Sequence, residues 1–140
     1  MKCINSPTQQ IKFNDIELFI KRDDLLSHDF SGNKARKFYY FLNLDFKNIK
    51  KIVSHGSPQA NSLYSYASLA KIKGVKLDFY VNHISSYLKQ NPQGNYKHSM
   101  DIGANIIECD VDDFSRYIEN EIMPKETDAV FIEEGGRVQE

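Results

Sequence analysis

Lys34 lies at a position in this sequence where its side-chain amine could become reactive. The segment I-K-R-D-D-L-L-S-H-D-F-S-G-N-K-A-R-K, residues 20–37, passes from an extended run through a Ser-Gly-Asn break to a helical pattern that begins at Lys34. Asn33 is a suitable N-cap, so Lys34 is expected at the positive end of a helix dipole, where an ammonium is disfavoured. Burial would disfavour that charge further. Both effects favour the neutral amine, the form that attacks carbonyl groups and makes Schiff bases.

Most lysines near helix starts are simply solvated, so the evidence for a reactive lysine has to come from the motifs around it. K-R-D-D-L at residues 21–25 and S-G-N-K-A-R-K at residues 31–37 precede V-S-H-G-S-P-Q-A-N-S-L-Y-S-Y-A at residues 53–67. In this order they resemble the N-terminal motifs of the 1-aminocyclopropane-1-carboxylate deaminase and D-cysteine desulfhydrase family. That family belongs to the pyridoxal-phosphate enzymes of fold type II, which are similar to the β subunit of tryptophan synthase.

Weaker similarities continue the same order to the end of the chain. They are Gly94-Asn95, Ile102-Gly103-Ala104 and Glu134-Gly135-Gly136. The resemblance therefore runs along essentially the whole chain, but it corresponds to the N-terminal part of the family alone.

The resemblance implies roles for six residues. Lys34 matches the lysine that carries pyridoxal phosphate as a Schiff base, and Lys37 matches the lysine that reaches the cofactor phosphate. Lysines three residues apart share a helix face, which agrees with both roles. Asn61 matches the asparagine that lies beside the cofactor ring and bonds its phenolic oxygen. The family holds its substrate carboxylate at a helix N-terminus, where free amides favour an anion. The matching backbone belongs to Gln59, Ala60, Asn61 and Ser62.

The activity implied by the resemblance is that of a lyase or hydrolase with a small amino acid as its substrate. Pyridoxal phosphate would act as the electron sink. Lys34, freed from the cofactor by the substrate, would transfer a proton at or next to the α-carbon. Elimination would then release ammonia and an α-keto acid from aminocyclopropane carboxylate, or sulfide from a D-cysteine-like substrate. A homodimer is compatible with this assignment.

The sequence departs from the family pattern in two places. The family usually has a serine between the glutamine and the asparagine, where this chain has Ala60. In the deaminase that serine is implicated in opening the cyclopropane ring, and alanine has no hydroxyl to do so. Ser57 is a candidate substitute, offset by three positions. The second departure is length, since the family's glycine-, serine- and threonine-rich phosphate loop has no counterpart before the chain stops after Gly135-Gly136.

Two other functions remain open at this point. The chain could be an inactive, truncated lobe of such an enzyme. It could also be a small-anion-binding α/β domain that uses the turn from His55 to Asn61. His55, just ahead of that turn, is a candidate substrate contact, although most loop histidines have no such role. Gly135-Gly136 could cradle an anion or could simply end a strand.

Composition narrows the class of protein. A chain of 140 residues with a formal net charge of −1 suggests one domain, and its dispersed lysines do not indicate a nucleic-acid partner. Cys3 and Cys109 are too few for a disulfide framework, and the four histidines lack metal-ligand spacing, so we expect no metal site. No apolar run follows Lys2, and no segment reaches membrane-spanning length. We therefore expect a cytoplasmic protein with no signal peptide and no membrane partner.

The elements that must position these residues alternate between strand and helix. A hairpin of 11–13 and 16–21 precedes a helix over 34–44. Residues 82–92 read as an irregular connection. The expected strands are 51–54, 75–81, 106–107 and 129–132, and the expected helices are 60–73, 94–102 and 111–122. This alternation predicts an α/β three-layer sandwich with a mostly parallel sheet, like the smaller domain of fold type II enzymes. We divide the chain into an N-terminal strand segment, 1–33, which in the family packs on the larger domain, and a small α/β domain, 34–140. Ligands are expected at the carboxyl ends of the strands, where the loop of residues 54–62 lies.

Overall fold

The computed structural model describes residues 6–27, 29–30 and 33–137. The Ser31-Gly32 break, His28 and Cys3 lie outside these residues.

A β-hairpin precedes the main body. Strands β1 (Thr8–Phe13) and β2 (Ile16–Lys21) pair antiparallel. Asn14 and Asp15 join them with φ values of 47° and 61°, as a two-residue type I′ turn requires. The predicted hairpin is therefore present, and it starts three residues earlier than expected. A short 3₁₀ turn, Asp23–Leu25, follows it.

The main body is built on a four-stranded parallel sheet. Its strands are β3 (Lys51–His55), β4 (Lys76–Val81), β5 (Ala104–Glu108) and β6 (Ala129–Phe131), in the order β5-β4-β3-β6. The helices are α1 (Lys34–Lys37), α2 (Tyr39–Asn43), α3 (Asn61–Lys73), α4 (Ser86–Gln90), α5 (Gly94–Asp101) and α6 (Phe114–Tyr117). A π-helical turn, Ile118–Ile122, and a 3₁₀ turn, Met123–Lys125, continue α6. No helix in the described part of the chain is long and apolar enough to cross a membrane.

Successive side chains of the strands point alternately to the two faces of the sheet, and each face packs against an apolar cluster. Ile52, Leu77 and Phe79 face one apolar cluster, which also contains the buried side chains of α1, α2 and α3. Val53 and Tyr80, from the intervening positions, face a second cluster with α6 and the turn after it. Because successive strand residues point to opposite faces, helices on both sides give the predicted three-layer α/β sandwich. The predicted fold class is thus confirmed.

The helix expected over residues 34–44 is divided. It forms two short helices that meet at Phe38, and the side chain of Asn33 makes no capping hydrogen bond. Asn33 therefore occupies the predicted N-cap position, but the predicted side-chain capping is wrong. The apolar stripe survives the division, since Ala35, Phe38 and Phe41 are all buried. Tertiary packing of this stripe, and not a side-chain cap, determines where the segment lies.

Two other segments differ from the prediction. Residues 86–90 form a helix where an irregular connection was expected, because Ser85 accepts a hydrogen bond from the Leu88 amide and Leu88 is buried. The helix expected over 111–122 begins only at residue 114, after Asp113 has capped it through the Arg116 amide. Pro124 follows this segment and lies in the first turn of the 3₁₀ helix, where its missing amide costs little.

Candidate functional site

Four loops meet where the parallel strands end. They follow β3, β4, β5 and β6, and together they line a cavity of about 740 Å³. The lining residues come from all four loops: His55, Gly56, Ser57, Pro58, Asn82, His83, Asp112, Asp113, Phe114, Ser115 and Glu134. This is the edge at which ligands of parallel α/β sheets bind, so the cavity is in the predicted place.

The turn after β6, residues 133–136, is tied down from beneath by a buried tyrosine. The Tyr66 hydroxyl donates to the Glu133 carbonyl oxygen (2.5 Å) and accepts from the Gly136 amide (2.7 Å). Burial raises the pKa of Tyr66 to about 12, so its hydroxyl stays protonated and can serve both groups. Gly136 has φ 75°, and a Cβ there would lie 3.1 Å from the Phe38 ring. This position therefore requires glycine.

Lys34 lies against this Glu133–Gly136 turn. Its Nζ is 3.9 Å from the position a Gly135 Cβ would occupy, and the residue is half-buried. Burial lowers the pKa of its amine, Lys37 lowers it further, and Glu134 opposes them by raising it. The predicted direction is found, and burial, one of the two expected causes, is the largest; the expected helix dipole is not among the causes. Helix α1 has four residues, so it provides only one turn of aligned peptides.

The segment Gln59–Ser62 leads into the long helix α3. Ala60 occupies its N-cap position with an extended backbone, and no side chain caps the helix. The Leu63 amide donates to the Ala60 carbonyl oxygen (3.1 Å), so the first-turn amides left for an external anion are those of Asn61 and Ser62. This segment is where the resemblance places a substrate carboxylate, and that role stays a prediction.

The start of α5 holds the Gln59–Ser62 segment in place. Asn95 Nδ2 donates to the Gln59 carbonyl oxygen (3.1 Å) and to Asn61 Oδ1 (2.9 Å). Gln59 Oε1 accepts from the Tyr96 amide (3.4 Å). A Cβ at Gly94, whose φ is 57°, would come within 2.9 Å of Gln59 Oε1. The predicted Gly94-Asn95 helix start therefore acts as a clamp on the candidate site.

The six residues singled out by the sequence occupy different settings, and none of the six is among the residues that line the cavity. Lys34 is half-buried, and Lys37 is exposed one turn further along the same segment. Asn61 is exposed, with its Oδ1 engaged by Asn95 and its amide nitrogen left as a donor. Ser62 is buried, Gln59 is exposed and Ala60 is half-buried. Glu134, which interacts electrostatically with Lys34, comes within 3.3 Å of the Gly56 Cβ position and so connects the lysine to the loop after β3.

A polar cluster that the sequence did not reveal lies at the cavity wall. His55 Nε2 is 3.1 Å from Ser115 Oγ, and Ser115 Oγ donates to Glu133 Oε2 (3.0 Å). His55 was weighed only as a loop residue, yet it is the last residue of β3 and is buried. Its partners are 60 and 78 positions away in sequence, so no local spacing could have indicated them.

Among the solved structures that share this architecture, two show the extent of the similarity to the chain. An ACC deaminase homologue matches it with a TM-score of 0.72 and 22% sequence identity, over 95% of this chain and 43% of that chain. A hydrogen sulfide-producing enzyme from Fusobacterium nucleatum matches it with a TM-score of 0.53 and 15% identity, over 91% of this chain and 42% of that chain. The chain thus spans less than half the length of either, and the resemblance expected from its motifs is confirmed at the level of the fold. No family model and no curated protein matches the chain.

Proposed function

We propose that this chain carries the cofactor lysine and the carboxylate-binding helix end of a pyridoxal-phosphate-dependent enzyme that acts on a small amino acid. The observation that carries the proposal is Lys34, half-buried against the Glu133–Gly136 turn with a lowered pKa. A lysine whose amine loses its proton easily is the kind that holds a carbonyl cofactor. The fold shared with an ACC deaminase homologue and with a hydrogen sulfide-producing enzyme supports it.

The residues present fit pyridoxal phosphate in three respects. Lys34 supplies an amine with a reduced affinity for its proton. Lys37, one turn away and exposed, supplies an ammonium that can pair with a phosphate. Asn61 keeps a side-chain N–H donor that can face a ring oxygen. These three residues would hold the cofactor.

Other groups of this chain would bind the substrate and transfer its proton. Pyridoxal phosphate, when bound, supplies a conjugated ring that draws electrons away from the substrate's α-carbon. The amides of Asn61 and Ser62, in the first turn of α3, would bind and orient the substrate carboxylate, because no side chain caps that end. The Lys34 amine accepts a proton from the substrate at or next to the α-carbon and returns one later.

The substrate type follows from Ala60. A methyl group at this position offers no hydroxyl to open a cyclopropane ring, and the exposed Ser57 Oγ accepts a hydrogen bond from the Gln59 amide (3.4 Å). We therefore favour elimination of a side-chain group from a small amino acid, cysteine-like substrates among them, over ring opening of aminocyclopropane carboxylate.

Reductive labelling tests the cofactor lysine. The protein is incubated with pyridoxal phosphate and then with borohydride, and its peptides are analysed by mass spectrometry. We expect the phosphopyridoxyl group mainly on Lys34, and loss of that label in Lys34→Ala. Lys47→Ala, which alters a lysine with 85% of its side chain exposed, is the matched control and should retain the label. Labelling spread evenly over the surface lysines would contradict the proposal.

A second candidate function, a cofactor-binding lobe without turnover, is favoured by Ala60. Release of sulfide and of α-keto acid from D-cysteine, and of ammonia from aminocyclopropane carboxylate, distinguishes the two. Label on Lys34 together with product formation supports the enzyme. Label on Lys34 without product from either substrate supports the binding lobe.

A further inference from the structure

His55 is held rigidly at the wall of the cavity. Only 9% of its surface is exposed, and its ring stacks on Phe114 (centroids 5.5 Å apart, planes at 14°) and on Phe131 (6.1 Å, 28°). The same ring is among the groups that line the 740 Å³ cavity. A ring fixed between two aromatic side chains presents its nitrogens in one orientation.

The hydrogens available to Ser115 and Glu133 determine which ring nitrogen of His55 carries a hydrogen. Ser115 has one hydroxyl hydrogen, and it donates that hydrogen to Glu133 Oε2. Ser115 Oγ must therefore accept from His55 Nε2, which is 3.1 Å away. Nε2 also lies 3.5 Å from Glu133 Oε2, a distance at which an unprotonated nitrogen would face a carboxylate lone pair. In the neutral imidazole, Nε2 is thus the donor and Nδ1 the acceptor.

This arrangement also excludes a nucleophilic serine. A histidine that activates a serine accepts the hydroxyl proton, whereas His55 donates to Ser115. The cluster fixes a tautomer and leaves Nδ1 as its remaining polar atom. No residue in the described ranges forms a hydrogen bond with Nδ1. A buried ring on a cavity wall therefore has an unpartnered acceptor.

The cavity around this acceptor is negative. Glu134, Asp112 and Asp113 contribute carboxylates to its lining, and no lysine or arginine of the described chain lines it. The other polar lining groups are the Asn82 amide, serine hydroxyls and the rings of His55 and His83. An acceptor nitrogen beside carboxylates is suited to a cationic group that has N–H donors, and it repels an anion.

We propose that this cavity is a subsite for a primary ammonium group, bound by His55 Nδ1 as hydrogen-bond acceptor and by Glu134 as counter-charge. Glu134 also interacts electrostatically with Lys34, so the cavity adjoins the candidate cofactor lysine. Resting on the function proposed above, this makes the substrate an amino acid with a second amine in its side chain, a short diamino acid. The α-carboxylate would bind at the start of α3 and the side-chain ammonium in the cavity.

Binding to the protein without added cofactor tests the subsite. The probe is 2,3-diaminopropionate, alanine is the matched amino acid without the second amine, and succinate is the anion. We expect at least tenfold tighter binding of 2,3-diaminopropionate than of alanine by calorimetry, and a change in the His55 Nδ1 resonance by ¹⁵N NMR. Equal affinity for alanine, tighter binding of succinate, or a His55 ring that carries its hydrogen on Nδ1 would overturn the proposal.

Two variants locate the subsite, and a third variant is the control. His55→Phe keeps an aromatic ring in the stack and removes the acceptor, and Glu134→Gln removes the charge from an exposed residue whose loss does not threaten folding. Each should abolish the preference for the diamino acid. Glu119→Gln, at an exposed carboxylate that does not line the cavity, should leave the preference unchanged. Full preference in Glu134→Gln would overturn the proposal. Because no cofactor is added, this result does not depend on whether Lys34 is labelled by pyridoxal phosphate.

Discussion

At the scale of single residues, the surroundings of Lys34 change the pKa of its amine. Burial and the neighbouring Lys37 lower the pKa of its amine, and Glu134 raises it. The balance is thus set by burial and by two charged groups, which lie three and one hundred positions from Lys34 in sequence. A change at Glu134 should therefore tune the amine without altering the lysine itself.

We expect Glu134→Gln to lower the pKa of Lys34 further, because the substitution removes the charge that stabilises the ammonium. A larger fraction of the amine is then neutral at any given pH. The pH at which pyridoxal phosphate labels Lys34 at half its maximal rate should shift downwards, as followed by mass spectrometry of that peptide after borohydride.

Glu119→Gln provides the control, since Glu119 is an exposed carboxylate in the turn after α6. It should leave the labelling profile of Lys34 where it was. An upward shift in Glu134→Gln would show that the carboxylate does not act on Lys34 as described.

At the scale of elements, the Glu133–Gly136 turn connects the sheet to the candidate site. Tyr66 from α3 holds its backbone from one side, and Ser115 from α6 holds the Glu133 side chain from the other. Lys34 and Phe38 pack on its glycines. Three helices thus depend on one short turn, and the position of Lys34 follows the position of that turn.

Tyr66→Phe should destabilise the protein by about 1–3 kcal/mol, because the Gly136 amide and the Glu133 carbonyl lose their buried partner. Urea unfolding followed by circular dichroism measures this change. The same variant should slow labelling of Lys34, since the turn beneath the lysine loosens.

Tyr40→Phe is the matched control for that substitution. Tyr40 is 52% exposed, so removal of its hydroxyl should change the free energy of unfolding by less than about 0.5 kcal/mol. Equal effects of the two substitutions would mean that the hydrogen bonds of Tyr66 do not hold the turn.

At the scale of the whole molecule, the hairpin presents an apolar face. Side chains opposite each other in the β1–β2 register, Ile11 with Leu18 and Phe13 with Ile16, lie on the same face, together with Ile20. Phe13 and Ile16 are 63% and 61% exposed. The hairpin is joined to the body by Asp23, which pairs with Arg36 (2.9 Å). The expected division at residue 33 and the expected homodimer both stay predictions.

Replacing Phe13 and Ile16 together with serine should change the free energy of unfolding by less than about 1 kcal/mol, because little of their surface leaves water on folding. The double variant should also bind less of a hydrophobic dye at equal concentration, as fluorescence would show.

A substitution at a buried position of strand β3 provides the comparison for this double variant. Ile52→Ala, at a residue with no exposed surface, should cost about 2–5 kcal/mol through the cavity it leaves. A loss of that size in the hairpin variant would show that its apolar face packs against the body of the protein.

Local sequence by itself determined most of the architecture. Alternating strand and helix patterns predicted the parallel sheet and the hairpin. The helix expected over 60–73 ends where predicted, at Gly74, which adopts a left-handed conformation with φ 68°. Each of these features depends on residues within one element or one turn, so periodicity and turn chemistry suffice to find it. The motifs likewise marked Lys34 and the Gln59–Ser62 segment before any coordinates were considered.

Only the tertiary structure decided the surroundings of those residues. The turn that supports Lys34 is one hundred positions away, and the His55–Ser115–Glu133 cluster joins three elements that are distant in sequence. The helix at 34–44 divided, and α4 formed, because buried side chains and local caps outweighed the expected pattern. The charge state of an amine and the tautomer of a ring depend on what packs against them, and parallel strands bring such partners together from loops far apart along the chain.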